Sequence, residues 1–179
     1  MSDAKTIRTK QMKEVIFDFE SEAIDVLPNY PPKPVGLAIS VDGRPLNGSY
    51  YHSWGHPAGN NADEAKIRLA VLDLIVDENT YWVAHNLAFD AAIIEKHWGL
   101  IFPYDRAACT MLLAFMHNPY GELSLKPLCE KLLNMPPTER DAVRDWLVAK
   151  GIARSGSKDW GAYISKAPGD LVGSYAQGD

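Results

Sequence analysis

Val15 and Phe17 alternate with Ile16 through residues 14–20 (EVIFDFE), which is the period of a buried strand. Residues 26–34 (VLPNYPPKP) carry four prolines and read as loop, because proline has no N–H for regular pairing. Residues 35–41 (VGLAISV) read as a second strand. Asp42-Gly43 signals a turn, and residues 49–54 (SYYHSW) a third strand, so a hairpin with a longer loop is expected.

Apolar positions Ile67, Ala70, Val71, Leu74 and Ile75 then recur at helical spacing. They predict a helix to about Glu78, with Asn61 or Asp63 placed to cap it. Residues 80–84 (TYWVA) form a short buried strand, His85-Asn86 breaks it, and 87–98 is a helix ending at Gly99. Residues 107–117 read as a strongly apolar helix stopped by Asn118-Pro119. Further helices are expected over 124–133 and 139–150. Residues 152–159 (IARSGSKD) are small and polar, the composition of a mobile connection. A last helix begins near Pro168–Asp170, carries Leu171, Val172 and Tyr175, and runs to Asp179. Strands first, then strands alternating with helices, predict a single α/β domain without internal repeats.

Composition narrows the class. The chain has 179 residues and is 46% hydrophobic, enough for one well-cored domain and too apolar for disorder. A net charge of −5 argues against a broad basic surface gripping duplex nucleic acid, so any phosphate contact must be local. Cys109 and Cys129 match no metal spacing and are expected as reduced core residues. The first 13 residues are polar, a loose lead-in without the apolar stretch of a signal peptide. No apolar run approaches the ~18 residues of a membrane helix. A cytoplasmic protein is expected.

Chemistry enters with the acids. Asp18 and Glu20 lie two apart at the end of the first strand, hence on one face of it. Two adjacent carboxylates repel, and hard divalent cations such as Mg²⁺ relieve that repulsion. Asn86 and Asp90 stand four apart on the helix that directly follows a strand, and Tyr175 and Asp179 repeat that spacing on the last helix. Strand C-terminal ends are where α/β proteins build their sites. Four acids on three elements outline a two-metal arrangement.

In these three motifs the sequence resembles the DEDD family of 3′→5′ exonucleases. Asp18-x-Glu20, Asn86-x-x-x-Asp90 and Tyr175-x-x-x-Asp179 match its tyrosine subfamily in order. The likeness is strongest to the proofreading domain of family A DNA polymerases, phage ones above all. It extends over nearly the whole chain, through the segments RAACTMLLAFMHN and SLKPLCEKLL. The resemblance implies an RNase H-like fold, a central mixed sheet flanked by helices. It implies Asp18, Glu20, Asp90, Tyr175 and Asp179 as catalytic residues. Two divalent ions, Mg²⁺ or Mn²⁺, would be held by Asp18, Glu20, Asp90 and Asp179, and Tyr175 would orient the attacking water. The substrate would be the 3′ end of single-stranded or frayed DNA, the product a nucleoside 5′-monophosphate, and the partner a DNA polymerase domain or subunit.

Ser21, Ile24 and Asn86 occupy positions that contact substrate in that family. Ile24 reads equally as a wedge against the last base or as a core residue, and Asn86 as a sugar or phosphate contact or as a helix cap. Arg154 and Lys158 are further candidates for phosphate contact. His85 is the one histidine beside the motifs, and the five tryptophans read as packing residues. Asp179 closes the chain at a helix end, where a carboxylate is unfavourable. The expectation is therefore a fragment whose parent continues that helix. Two other functions compete: an RNA-trimming exonuclease of the same subfamily, and a catalytically silent module docked on a polymerase.

Overall fold

A computed structural model describes residues 11–135, 140–157 and 159–177. Residues 1–10 of the lead-in, the first residue of the helix expected over 139–150, Lys158 and Asp179 lie outside the described residues. Six strands form one mixed sheet: β1 (Lys13–Ser21), β2 (Pro34–Val41), β3 (Arg44–Pro45), β4 (Tyr51–Ser53), β5 (Thr80–Ala84) and β6 (Ala107–Cys109). The order across the sheet is β3-β2-β1-β5-β6, with β4 beside β3 along the outer edge of β2. β1 runs antiparallel to β2 and parallel to β5, which is parallel to β6. The helices are α1 (Glu64–Val76), α2 (Leu87–Trp98), α3 (Thr110–His117), α4 (Leu125–Leu133), α5 (Arg140–Ala149) and α6 (Gly169–Ala176). This is the RNase H-like α/β arrangement expected.

The period of β1 decides the layers. Val15, Phe17 and Phe19 point to one face, where they pack with Leu37, Trp82 and the buried Ile67, Val71, Ile93 and Ile94 of α1 and α2. The Phe17 ring meets Trp82 edge-on at 5.2 Å and Phe19 meets Trp98 at 5.1 Å, geometries that suit aromatic quadrupoles. Ile16, Asp18 and Glu20 share the other parity. On that side Ala38 and Tyr51 pack with Val143 and Leu147 of α5 and Val172 and Ala176 of α6. The polar face of β1 is thus turned toward the α6 layer.

Several boundaries differ from expectation. Asp42 and Gly43 both have positive φ (52° and 70°) and close a two-residue hairpin onto β3, so the turn is tighter than a long loop. Ala107–Cys109 is a strand, not the first turn of a helix, because it pairs with Trp82–Ala84. The ladder overrides the helical preference of alanine. A 3₁₀ segment, Asp159–Lys166, begins where the connection expected over 152–159 ends. α1 stops at Val76, capped at its start by Asp63, whose carboxylate accepts from the N–H groups of Ala65 and Lys66. Cys109 and Cys129 are free, as expected; both are only half-buried, Cys109 packing against the edge of the α1–α2 core. α3 and α4 bury no residue fully.

Candidate active site

β1 outruns its parallel neighbour. The β1–β5 ladder ends at Ile16 paired with Val83, which leaves the next backbone groups of β1 on that edge to find other partners. Asp90, one turn into α2, supplies one: its Oδ1 accepts the N–H of Phe19 at 2.9 Å. Phe19 is the residue between Asp18 and Glu20, so this bond brings the three carboxyl groups to one strand end. Glu20 and Asp90 are buried. Burial, and secondarily the charge of Asp18, holds the Asp90 carboxyl well above the usual carboxylate range. On the β2 side the register slips between Glu20 and Ser21, which pairs with Pro34 and leaves Val35 as an extra residue. Such a bulge at a strand end re-aims side chains beside a site. The Val35 carbonyl is met by the N–H groups of Trp54 and Gly55 at 3.0 Å each.

The third element, α6, packs on β4 and β2, and its Ala176, with the following Gln177, lines one pocket with Asp18. Trp160 stands edge-on to the Tyr175 ring at 5.8 Å, and the Lys126 Nζ lies 4.2 Å from its centre on the α4 side. His85 fixes α4 in place. Its Nε2 donates to the Leu123 carbonyl at 2.9 Å, so in the neutral ring Nδ1 accepts from the Thr110 hydroxyl, also at 2.9 Å. His85 therefore links β5 to the start of α4. An open pocket of about 270 Å³ lies here, lined by Asp18, Tyr50, His85, Leu125 and Gln177 among others.

The remaining candidates divide. Asn86 sits in the left-handed region at the start of α2, with φ 56°, and its side chain makes no capping bond, so the capping alternative falls away. The Ser21 hydroxyl donates to the Glu22 carbonyl at 3.0 Å. Ile24 is 68% exposed and is no core residue. It belongs to a connection tied to α2 by Lys96, whose Nζ donates to the carbonyls of Pro28, Tyr30 and Pro31. Arg154 is exposed. Trp82 and Trp98 are core residues.

Two residues escape the sequence reading. Tyr51 is buried behind the acids, its hydroxyl kept protonated by burial and by the charges of Glu20 and Asp18. It bonds His56 Nε2 at 2.8 Å. Only the glycines opposite, Gly36 and Gly173, hint at it in the sequence.

The donor chemistry suits hard divalent cations, since a buried carboxyl held beside a second carboxylate is eased by them. Among the described residues, no group of three or more His, Cys, Asp or Glu is already drawn together tightly enough to ligate an ion by itself.

The family model for the 3′-5′ exonuclease of DNA polymerase A type matches residues 6–179. No curated protein matches the sequence significantly. Among solved structures, Brucella melitensis NrnC aligns with a TM-score of 0.58 at 19% identity, over 94% of this chain and 67% of that one. NrnC with bound Mg²⁺ aligns at 0.55 and 18%, and NrnC bound to pGG at 0.56 and 18%, each over the same shares. At these identities the likeness is one of fold. With a family match over nearly its full length, the chain belongs to the 3′-5′ exonucleases of the DEDD superfamily.

Proposed function

We propose that this exonuclease removes the 3′-terminal nucleotide from single-stranded or frayed DNA as a nucleoside 5′-monophosphate and proofreads for a DNA polymerase. The observation that carries the reading is the Asp90 carboxylate bonded to the backbone N–H between Asp18 and Glu20, at the end of β1. Asp18, Glu20 and Asp90, joined by Asp179 from the end of the chain, are the residues to hold two divalent ions. When bound, such ions lower the pKa of water and neutralise charge on the phosphate in flight. The chain's own residues prepare the rest. The Phe19 N–H keeps one Asp90 oxygen in place. Tyr175, wedged between Trp160 and Lys126, presents its hydroxyl to the attacking water. Lys126 brings positive charge to a chain of net charge −5, local where a broad basic surface is lacking. Ser21, Ile24 and Asn86 contact the terminal nucleotide, Ile24 by wedging against its base.

A second reading, a trimmer of RNA or of short oligonucleotides, has one specific support: a structure of similar fold is bound to pGG. Digestion of matched 5′-labelled DNA and RNA strands, with Mg²⁺, Mn²⁺ or chelator, decides between them. A ladder shortening from the 3′ end of DNA, absent with chelator and with Asp18→Ala, supports the first reading. Faster loss of RNA selects the second. Intact strands under every metal condition would leave the silent polymerase-docked module.

A further inference from the structure

Tyr51 is polar where an apolar ring would fill the same space. The hydroxyl end of its ring lies against Gly36, where a Cβ would collide with the Tyr51 oxygen and Cζ. Gly36 is the β2 partner of Glu20. From the other side α6 rests on the same ring through Gly173, where a Cβ would come within 3.0 Å of Cδ1. The Tyr51 ring is therefore the spacer between the strand pair that carries Glu20 and the helix that carries Tyr175. Glycine at both contacts lets the backbones close on it.

The hydroxyl then adds a direction. The His56 Nδ1 lies 2.9 Å from the Ala167 carbonyl, an acceptor only, so Nδ1 carries the proton. Burial keeps the ring neutral. His56 Nε2 is left as an acceptor, and Tyr51 donates to it at 2.8 Å. The chain of bonds runs from the spacer ring to Ala167, two residues before α6 begins. Beside it the Gly169 N–H donates to the Ala58 carbonyl at 2.8 Å, and Gly169 packs on Ser53 and Gly59 with no room for a Cβ. Buried polar groups cost free energy unless they are hydrogen-bonded, so this pair is held to the geometry of its bonds.

We propose that Tyr51 and His56 are positioning residues: the ring sets how far α6 stands from the sheet, and the hydrogen-bonded pair sets its register, so together they place Tyr175 over the carboxylates of β1. The inference rests on the exonuclease reading above, in which Tyr175 addresses the attacking water.

The test compares Tyr51→Phe, Tyr175→Phe and the double variant of the full chain, with a 5′-labelled single-stranded DNA and Mg²⁺. Tyr51→Phe keeps the spacer and removes the bond. Its kcat should fall about tenfold with KM within about twofold, and adding it to Tyr175→Phe should cost less than about twofold more. Losses that multiply in the double variant, or an unchanged kcat in Tyr51→Phe, would overturn the proposal. Amide hydrogen exchange reads the same point without activity. In Tyr51→Phe the amides of Val172–Ala176 should lose about tenfold in protection while those of Ile93 and Ile94 keep theirs. Equal losses in both helices, or none, would also overturn it. A wild-type chain that digests nothing defeats the exonuclease reading, whereas the exchange result still judges the strut. If Tyr51→Phe does not fold, His56→Asn serves in both measurements. It keeps an N–H for Ala167 near the Nδ1 position and loses the acceptor for Tyr51.

Discussion

At the scale of single residues, Asp90 carries two opposed demands. Its oxygen satisfies a strand N–H that β5 leaves open, which ties α2 to β1. Its charge is out of water and close to that of Asp18, so the fold without cations disfavours the ionised form. Asp90→Asn keeps an acceptor for Phe19 and removes the charge. In chelator at pH 7 the variant should therefore melt about 2–4 °C higher, the shift that about 1 kcal/mol gives at this chain length. Its exonuclease activity should be lost. Calorimetry beside a digestion assay checks both, and a lower melting point would show the carboxylate to be stabilising. Such opposition between site and stability is common where function concentrates charge. Asp18, Glu20 and Asp90 are legible in the sequence because strand and helix periods are local rules. Tyr51 and His56 are not, because their meaning depends on Gly36, Ala167 and Gly173, which only the folded chain brings near.

At the scale of elements, most strands and helices are readable, and the misread ones are the short strands that exist only through pairing. Thr80–Ala84 and Leu87–Trp98 fall where hydrophobic period and the Gly99 stop put them. Residues 107–117 are largely apolar, and apolarity alone does not separate a strand from a helix. The pairing of Ala107–Cys109 with β5 decides it. The helical remainder, α3, keeps Leu112, Leu113, Phe115 and Met116 exposed. Position on that helix should therefore matter little to stability. Met116→Lys should change the unfolding free energy by less than about 0.5 kcal/mol. Ile93→Ala, inside the α1–α2 core, should cost about 2–5 kcal/mol. Urea titration of the two variants distinguishes them; a comparable loss at Met116 would mean that the α3 face is covered in solution.

At the scale of the whole molecule, two buried histidines set a pH response. Burial holds both His52 and His56 below the ordinary imidazole value. The unfolded chain binds protons at these sites near pH 6.5 while the folded chain does not, so unfolding takes up protons. Stability from these groups is present above about pH 6.5 and is lost as pH falls below it, at up to about 1.4 kcal/mol per pH unit for each histidine. Thermal unfolding between pH 7.5 and pH 5 should show that decline, and His52→Gln should flatten it. An identical slope in the variant would remove His52 from the account. No helix among the described residues is long and apolar enough to cross a membrane.

The sheet has a core on each face, and they are unequal. The α1–α2 side holds the aromatic cluster of Phe17, Phe19, Trp82, Trp98 and Phe102. The α5–α6 side is built from a smaller set with Val143, Leu147, Val172 and four alanines. The weaker layer carries Tyr175. On heating, that layer should lift first, as locally less buried units do. The protein would then stop cutting while most of it is still folded. Residual activity after brief incubation, measured in situ at each temperature, should fall several degrees before the far-ultraviolet circular dichroism changes. Coincident curves would mean that both faces let go together, and that the blade of this enzyme is no more fragile than its handle.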